Sequence, residues 1–221
     1  MTVTRFKILF VLTPALDPNA GGVQMSTTKL GSFFASVGHE VAVFSFARNS
    51  HTPCAFGHLI AAVNDGGSTD RSNLHQLKVT LAGFRPDVVI NQMPYEHAIG
   101  EVLLRNKRYL LLGCLRNTLF SVVGDLDGFI ERAFPRRIAG ILKNPVGRQA
   151  LRTQHRRRHA QDLRRILDTY DHFVMFGPPN LEELRYFVPE FDEERVRLVP
   201  NSIPEVADVV PPKEKRLLWL G

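Results

Sequence analysis

The sequence is poor in cysteine, in tryptophan and in long apolar runs, and each shortage excludes a class of protein. Its 221 residues include two cysteines, Cys54 and Cys114, far apart in the chain. Two such thiols cannot frame a disulfide-stapled domain or a four-ligand metal site, so a reducing compartment is expected. No apolar stretch reaches the roughly 20 residues that cross a bilayer. Lys7 and Asp17 interrupt the amino-terminal segment where a secretory signal would lie. The expected location is cytoplasmic, the inner face of the cell membrane included. Several catalytic loops are missing as well. There is no Gly-Lys-Ser/Thr of a Walker A loop and no G-x-S-x-G nucleophile elbow. A dinucleotide-binding G-x-G-x-x-G is also absent, and Arg48 stands near the end of the second apolar run where such a protein carries an acid.

What is present begins with charge. The formal net charge is +6, and it is concentrated: residues 132–165 carry eleven Lys and Arg against one acid, Asp162. The rest of the chain is mildly acidic. Nucleic acid is a poor match for this segment, because its readers combine basic charge with stacking aromatics or a recognisable module, and "RQALRTQHRRRHAQDLRRIL" offers only two histidine rings. An anionic membrane surface or a phosphorylated, lipid-linked substrate fits an exposed basic helix, and so does an ordinary solvated face. Arg156, Arg157 and Arg158 are the candidate contacts.

With 44% hydrophobic residues the chain can bury one sizeable core. "KILFVL" is a short continuous apolar run of the kind covered on both faces in a parallel sheet. Helical spacing follows from Val23, with Gly38 at the expected helix end, and then "HEVAVFSF" as a second strand. The alternation continues. "FGHLIAAV", "PDVVIN", "RYLLLGCL" and "DHFVMFG" read as strands; "DRSNLHQLKVTLAGF", "YEHAIGEVLLRN" and "PNLEELRYFV" read as helices. Residues 119–168 read as irregular helix broken at "FPRR" and "KNPVG", and "RVRLVPNSI" as a strand leaving the sheet. This order predicts a doubly wound parallel α/β sheet, in which ligands bind outside the carboxyl ends of the strands. The predicted boundaries are a domain over 1–199, a polar, proline-rich linker over 200–215, and the first strand of a further domain over 216–221.

Two strand-end motifs carry candidate chemistry. Gly21-Gly22 precedes the first helix, where free backbone N–H groups and the positive dipole end suit a diphosphate; a sharp turn is the other use of such a pair. "GDLDG" sets Asp125 and Asp127 in an Asp-x-Asp spacing that can hold a hard cation, or that simply caps a helix. No metal site is expected.

Taken together, "KILFVLTPALDPNAGGVQMSTTKLGSFFASVGHEVAVFSF", "PDVVINQMPYE", "YLLLGCLRNTLFS", "YDHFVMFGPPNLEELRYF", "RVRLVPNSIP" and "KRLLWLG" resemble, in order and spacing, the amino-terminal half of glycosyltransferase family 4. The resemblance implies one Rossmann-like half of a GT-B enzyme. Such an enzyme transfers a hexose from a nucleotide sugar to a glycan or lipid-linked acceptor with retention, without a bound cofactor or metal. It implies the donor diphosphate at Gly21 and Gly22, and the acceptor at Gln92, Tyr95, Glu96, Arg116 and Asn117. Asn201 corresponds to the hinge. Arg116 stands where the family usually has a histidine beside the reacting sugar. An arginine, protonated throughout the accessible pH range, holds an anion and cannot act as a base.

Overall fold

The apolar run at 8–12 has no polar side, so a strand made from it must be covered on both faces. In a computed structural model, which describes residues 4–17, 19–47, 56–105, 107–115 and 118–200, that strand is β1 (Lys7–Leu12). It lies parallel between β2 (Glu40–Ser45) and β4 (Val88–Asn91). Alternate side chains enter two separate cores: Leu9 and Val11 on one face, Ile8, Phe10 and Leu12 on the other. With β3 (His58–Ala61), β5 (Leu110–Cys114), β6 (His172–Met175) and β7 (Val196–Leu198), the sheet runs in the order β3-β2-β1-β4-β5-β6-β7, and every pair is parallel. This is the predicted doubly wound, Rossmann-like sheet.

The chain starts at β1, winds outward to β3, and returns to β4 on the opposite side of β1. Helix α1 (Gly22–Ser36) packs Leu30 and Phe34 on one face. On the other face lie α2 (Arg71–Phe84), α3 (His97–Leu104), α7 (Pro145–Thr169) and α8 (Pro178–Phe187). Between β5 and α7, three short helices intervene: α4 (Ser121–Gly124), α5 (Leu126–Ala133) and α6 (Arg136–Leu142). Leu126, Ile130 and Ala139 give them a small core of their own.

Local chemistry explains the boundaries. Gly38, just past α1, has φ +95°, a conformation that glycine adopts without a Cβ penalty. Asp70 caps α2 by accepting from the N–H groups of Ser72 and Asn73. The two expected breaks become helix starts, with Pro135 before α6, and with Asn144 capping α7 ahead of Pro145. One expectation is corrected. The segment "RVRLVPNSI" does not leave the sheet at once: residues 196–198 form its edge strand, because Val196 is buried in the core and the free edge of β6 takes a parallel partner. Of the predicted linker and following strand, all but Pro200 lie outside the described residues.

Candidate functional site

Where the winding reverses, the loops after β1 and β4 diverge and leave a crevice at the carboxyl ends of the strands. Its floor is organised by Asn91, the last residue of β4 and fully buried. The Asn91 amide donates to the Tyr170 hydroxyl at 2.6 Å, and its carbonyl accepts from the Met93 N–H at 3.0 Å. These bonds turn the chain out of the strand, while the Gln92 N–H donates to the Val11 carbonyl at 2.9 Å. A second loop, after β5, is tied to α8: the Glu183 carboxylate accepts from the Thr118 hydroxyl and from the Leu119 N–H, each at 2.6 Å. The first turn of α1 forms part of the third wall through Val23. That helix has Gly21 at its N-cap with no side-chain cap and no acid in its first turn, so its leading N–H groups are left for other partners.

The resulting cleft encloses about 200 Å³. Gln92 and Tyr95 line it, together with Cys114 and Thr118. Glu96 does not; its carboxylate accepts from the Ser68 hydroxyl at 3.0 Å. Gly21 and Gly22 lie immediately before Val23, and a Cβ built on Gly22 would meet nothing within 4 Å. Arg116, Asn117 and Asn201 lie outside the described residues, as does Cys54. Arg157 and Arg158 border an open groove of about 970 Å³ lined by residues of α7, while Arg156 sits over the Tyr186 ring at 4.6 Å. Successive helical residues point about 100° apart, so the three arginines cannot share one face. Asp125 caps α5 and pairs with Arg132, and Asp127 pairs with Arg148.

Sequence reasoning missed the two imidazoles. His155 and His159, from α7, line the same cleft. His159 stacks on Tyr95 with centroids 5.5 Å apart and planes 15° apart, and His155 stacks on His159 at 5.3 Å and 17°. Phe187 meets His159 edge-on at 4.7 Å. The Tyr95 hydroxyl lies 3.4 Å from the His159 Nε2. A signal was available in the spacing, since residues four apart share one helix face. Grouping these rings with the neighbouring arginines concealed it.

Burial holds both imidazoles below the usual histidine range. For His159 the adjacent His155 adds to the effect and the Asp162 carboxylate opposes it. Burial, and then the charge of Asp162, push the Tyr95 phenol upward. The column is therefore neutral at physiological pH. The folded chain binds fewer protons than the unfolded one below the ordinary histidine pKa of about 6.5. The column's contribution to stability is thus complete above that value, and is lost as pH falls through the lowered folded values. Thermal unfolding followed from about pH 7 down to about pH 5 should weaken more steeply for the native chain than for a His155→Phe/His159→Phe variant. Parallel curves would show that the two rings are not linked to folding.

No family model and no curated protein matches the chain. Solved structures do. Sucrose-phosphate synthase from Thermosynechococcus elongatus superposes with a TM-score of 0.57 at 15% identity, over 89% of this chain and 48% of that one. The lipopolysaccharide outer core galactosyltransferase WaaB gives 0.55 at 12%, over 95% and 49%. HepE from Anabaena, in complex with UDP, gives 0.53 at 11%, over 89% and 44%. The chain spans about half the length of these structures. At such identities the likeness is one of fold, and the fold is that of one half of a GT-B glycosyltransferase.

Proposed function

We propose that the chain is the acceptor-side, amino-terminal half of a retaining GT-B glycosyltransferase of the family 4 type. It moves a hexose from a nucleotide sugar to a glycan or lipid-linked acceptor in cell-surface polysaccharide or glycolipid assembly. The observation that carries the reading is the cleft at the reversal point of the sheet, with the uncapped start of α1 on one wall. Backbone N–H groups at Gly22 and Val23 meet the donor diphosphate, aided by the helix dipole. Gln92 and Tyr95 orient the acceptor, and Arg116 and Asn117, which follow β5 in the sequence, hold a phosphate or carboxylate. A second domain grips the nucleotide, so this half alone does not turn over. Closure of the two halves excludes water and strengthens the stabilisation of an oxocarbenium-like transition state and departing diphosphate. No resident cofactor or metal enters this scheme. Incubating the intact protein with a panel of nucleotide sugars and cell-envelope glycolipids tests it: acceptor-dependent release of the nucleoside diphosphate is expected. Absence of transfer from every donor would sink the reading.

The basic segment supports a second, compatible role at an anionic membrane on the cytoplasmic side. Among the described residues no helix is long and apolar enough to cross a membrane. Instead, Ile138, Ile141 and Val146 are 46%, 68% and 79% exposed beside Arg136, Arg137 and Lys143. Apolar side chains beside cations suit the headgroup boundary. A non-catalytic α/β binding module would use the same surface. In vesicle sedimentation the chain should partition to anionic but not to neutral lipid. Arg136→Glu with Arg137→Glu should weaken that binding by about tenfold or more, at roughly 1 kcal/mol per basic residue. Equal partitioning to both lipids would refute the membrane role.

A further inference from the structure

The wall of the cleft that follows β5 is held from outside the cleft. Thr118 and Leu119 line it, and both oxygens of the Glu183 carboxylate are spent on them: Oε1 accepts from the Thr118 hydroxyl and Oε2 from the Leu119 N–H, each at 2.6 Å. The Thr118 hydroxyl in turn accepts from the Phe120 N–H at 3.1 Å. One side chain thus organises three consecutive residues that lie more than sixty positions away in the sequence. A carboxylate offers two acceptors to two converging donors, and charge-assisted bonds of this kind are short and strong. Glu183, Tyr186 and Phe187 stand three and four residues apart on α8, so they share one face of it. Phe120 meets Tyr186 and Phe187 edge-on, with ring centroids 5.1 Å and 5.8 Å away. Burial on α8 falls to Leu184 and Phe187, at 0% and 2% exposed. Glu183 is only partly buried, so its removal empties no core site.

We propose that Glu183 is a positioning residue: its carboxylate holds Thr118 and Leu119 as a preformed wall of the cleft, and so sets the affinity for the acceptor without touching it. The inference rests on the glycosyltransferase reading for the identity of the ligand, and on the hydrogen bonds of this half for the wall. Without the tether the wall samples other arrangements, and a ligand must select the ordered one. Apparent affinity then falls in proportion to the fraction of chains in which the wall is ordered. At saturation the ligand itself restores the wall, so turnover is retained. The signature is a raised acceptor KM at nearly constant kcat, with the donor KM unaltered.

Glu183→Ala and Glu183→Gln in the intact protein, labelled with ¹⁵N for amide hydrogen exchange, provide the test. Glutamine can accept from the Leu119 N–H through its carbonyl and donate to the Thr118 hydroxyl through its amide, so it preserves the tether. In the alanine variant the Leu119 and Phe120 N–H groups should exchange about tenfold faster or more. The Leu115 N–H, bonded to the Val174 carbonyl at 2.9 Å, should exchange as before. The glutamine variant should stay near the native rates. With a cell-envelope glycolipid as the acceptor probe, Glu183→Ala should raise its KM about tenfold while kcat stays within about twofold, and Glu183→Gln should restore it. Native exchange at Leu119 in the alanine variant would overturn the proposal, as would equal acceleration at Leu115, the mark of a general loss of stability. Faster exchange at Leu119 with an unaltered acceptor KM would also overturn it and leave the glycosyltransferase reading intact. A native protein that transfers sugar from no donor would sink that reading, while the exchange rates still decide whether Glu183 holds the wall.

Discussion

Replacing Gly22 with leucine should lower the intact enzyme's kcat/KM for its nucleotide sugar by about 10- to 100-fold, while the chain itself stays as stable as before. The two halves of that expectation have separate origins. A Cβ at Gly22 meets no atom within 4 Å, so the fold leaves open space where a side chain would begin. The position is helical, the first residue of α1, where leucine is a better helix former than glycine by a few tenths of a kcal/mol up to about 1. A diphosphate approaching the leading N–H groups has no such freedom. Hydrogen bonds to a charged partner are worth about 1.5–3 kcal/mol each, and a leucine side chain occupies the approach. Steady-state kinetics against donor concentration, with a thermal melt of the same variant, decide the matter. Unaltered kinetics would make the glycine pair a turn and nothing more. Gly21→Ala is a useful comparison: its Cβ would lie 3.1 Å from the Gln24 Oε1, the flexible end of a side chain that can move aside.

The second large effect is on stability and centres on Tyr170. This side chain is 1% exposed and, among the described residues, heads the fully buried ones by size. Its ring fills the space beside Gly113, where an added Cβ would lie 2.9 Å from the ring, and its hydroxyl accepts from Asn91. Tyr170→Ala should therefore cost about 3–5 kcal/mol, the range for emptying an aromatic site in a core. Tyr170→Phe removes only the hydroxyl and leaves the Asn91 amide with its long, 3.4 Å bond to the Met93 carbonyl, for about 1–3 kcal/mol. Because Asn91 also holds the Met93 N–H, the phenylalanine variant should loosen the loop carrying Gln92 and Tyr95. Acceptor KM should then rise more than kcat falls. Gly113→Ala should destabilise by about 1–3 kcal/mol through overpacking, and in combination with Tyr170→Ala the two penalties should fall short of their sum, since the methyl enters the vacated space. Urea denaturation of the single and double variants measures this. Strict additivity would show that Gly113 and Tyr170 do not share that space.

The sequence by itself determined the parallel α/β sheet, the positions of its seven strands and the starts of most helices. Those features depend on short-range chemistry: apolar runs such as 8–12, the cap at Asp70, the proline after Asn144, and Gly38 in its positive-φ turn. Each signal lies within a few residues of its effect, so period and punctuation reveal it. The candidate site was legible in part, because strand ends can be counted once the strands are known; Gln92 and Tyr95 do line the cleft. Glu96, one residue further on, turns away to Ser68, and its neighbours in sequence carry no sign of that. Only the tertiary structure decided that β7 closes the edge of the sheet, that Glu183 secures the loop after β5, and that His159 stacks on Tyr95 with His155 behind it. His159 and Tyr95 are separated by 64 positions in the chain. Their meeting depends on where α7 lies on the sheet. That is set by the burial of Leu163, Ile166 and Leu167, a long-range packing result that no local pattern in the arginine-rich segment encodes.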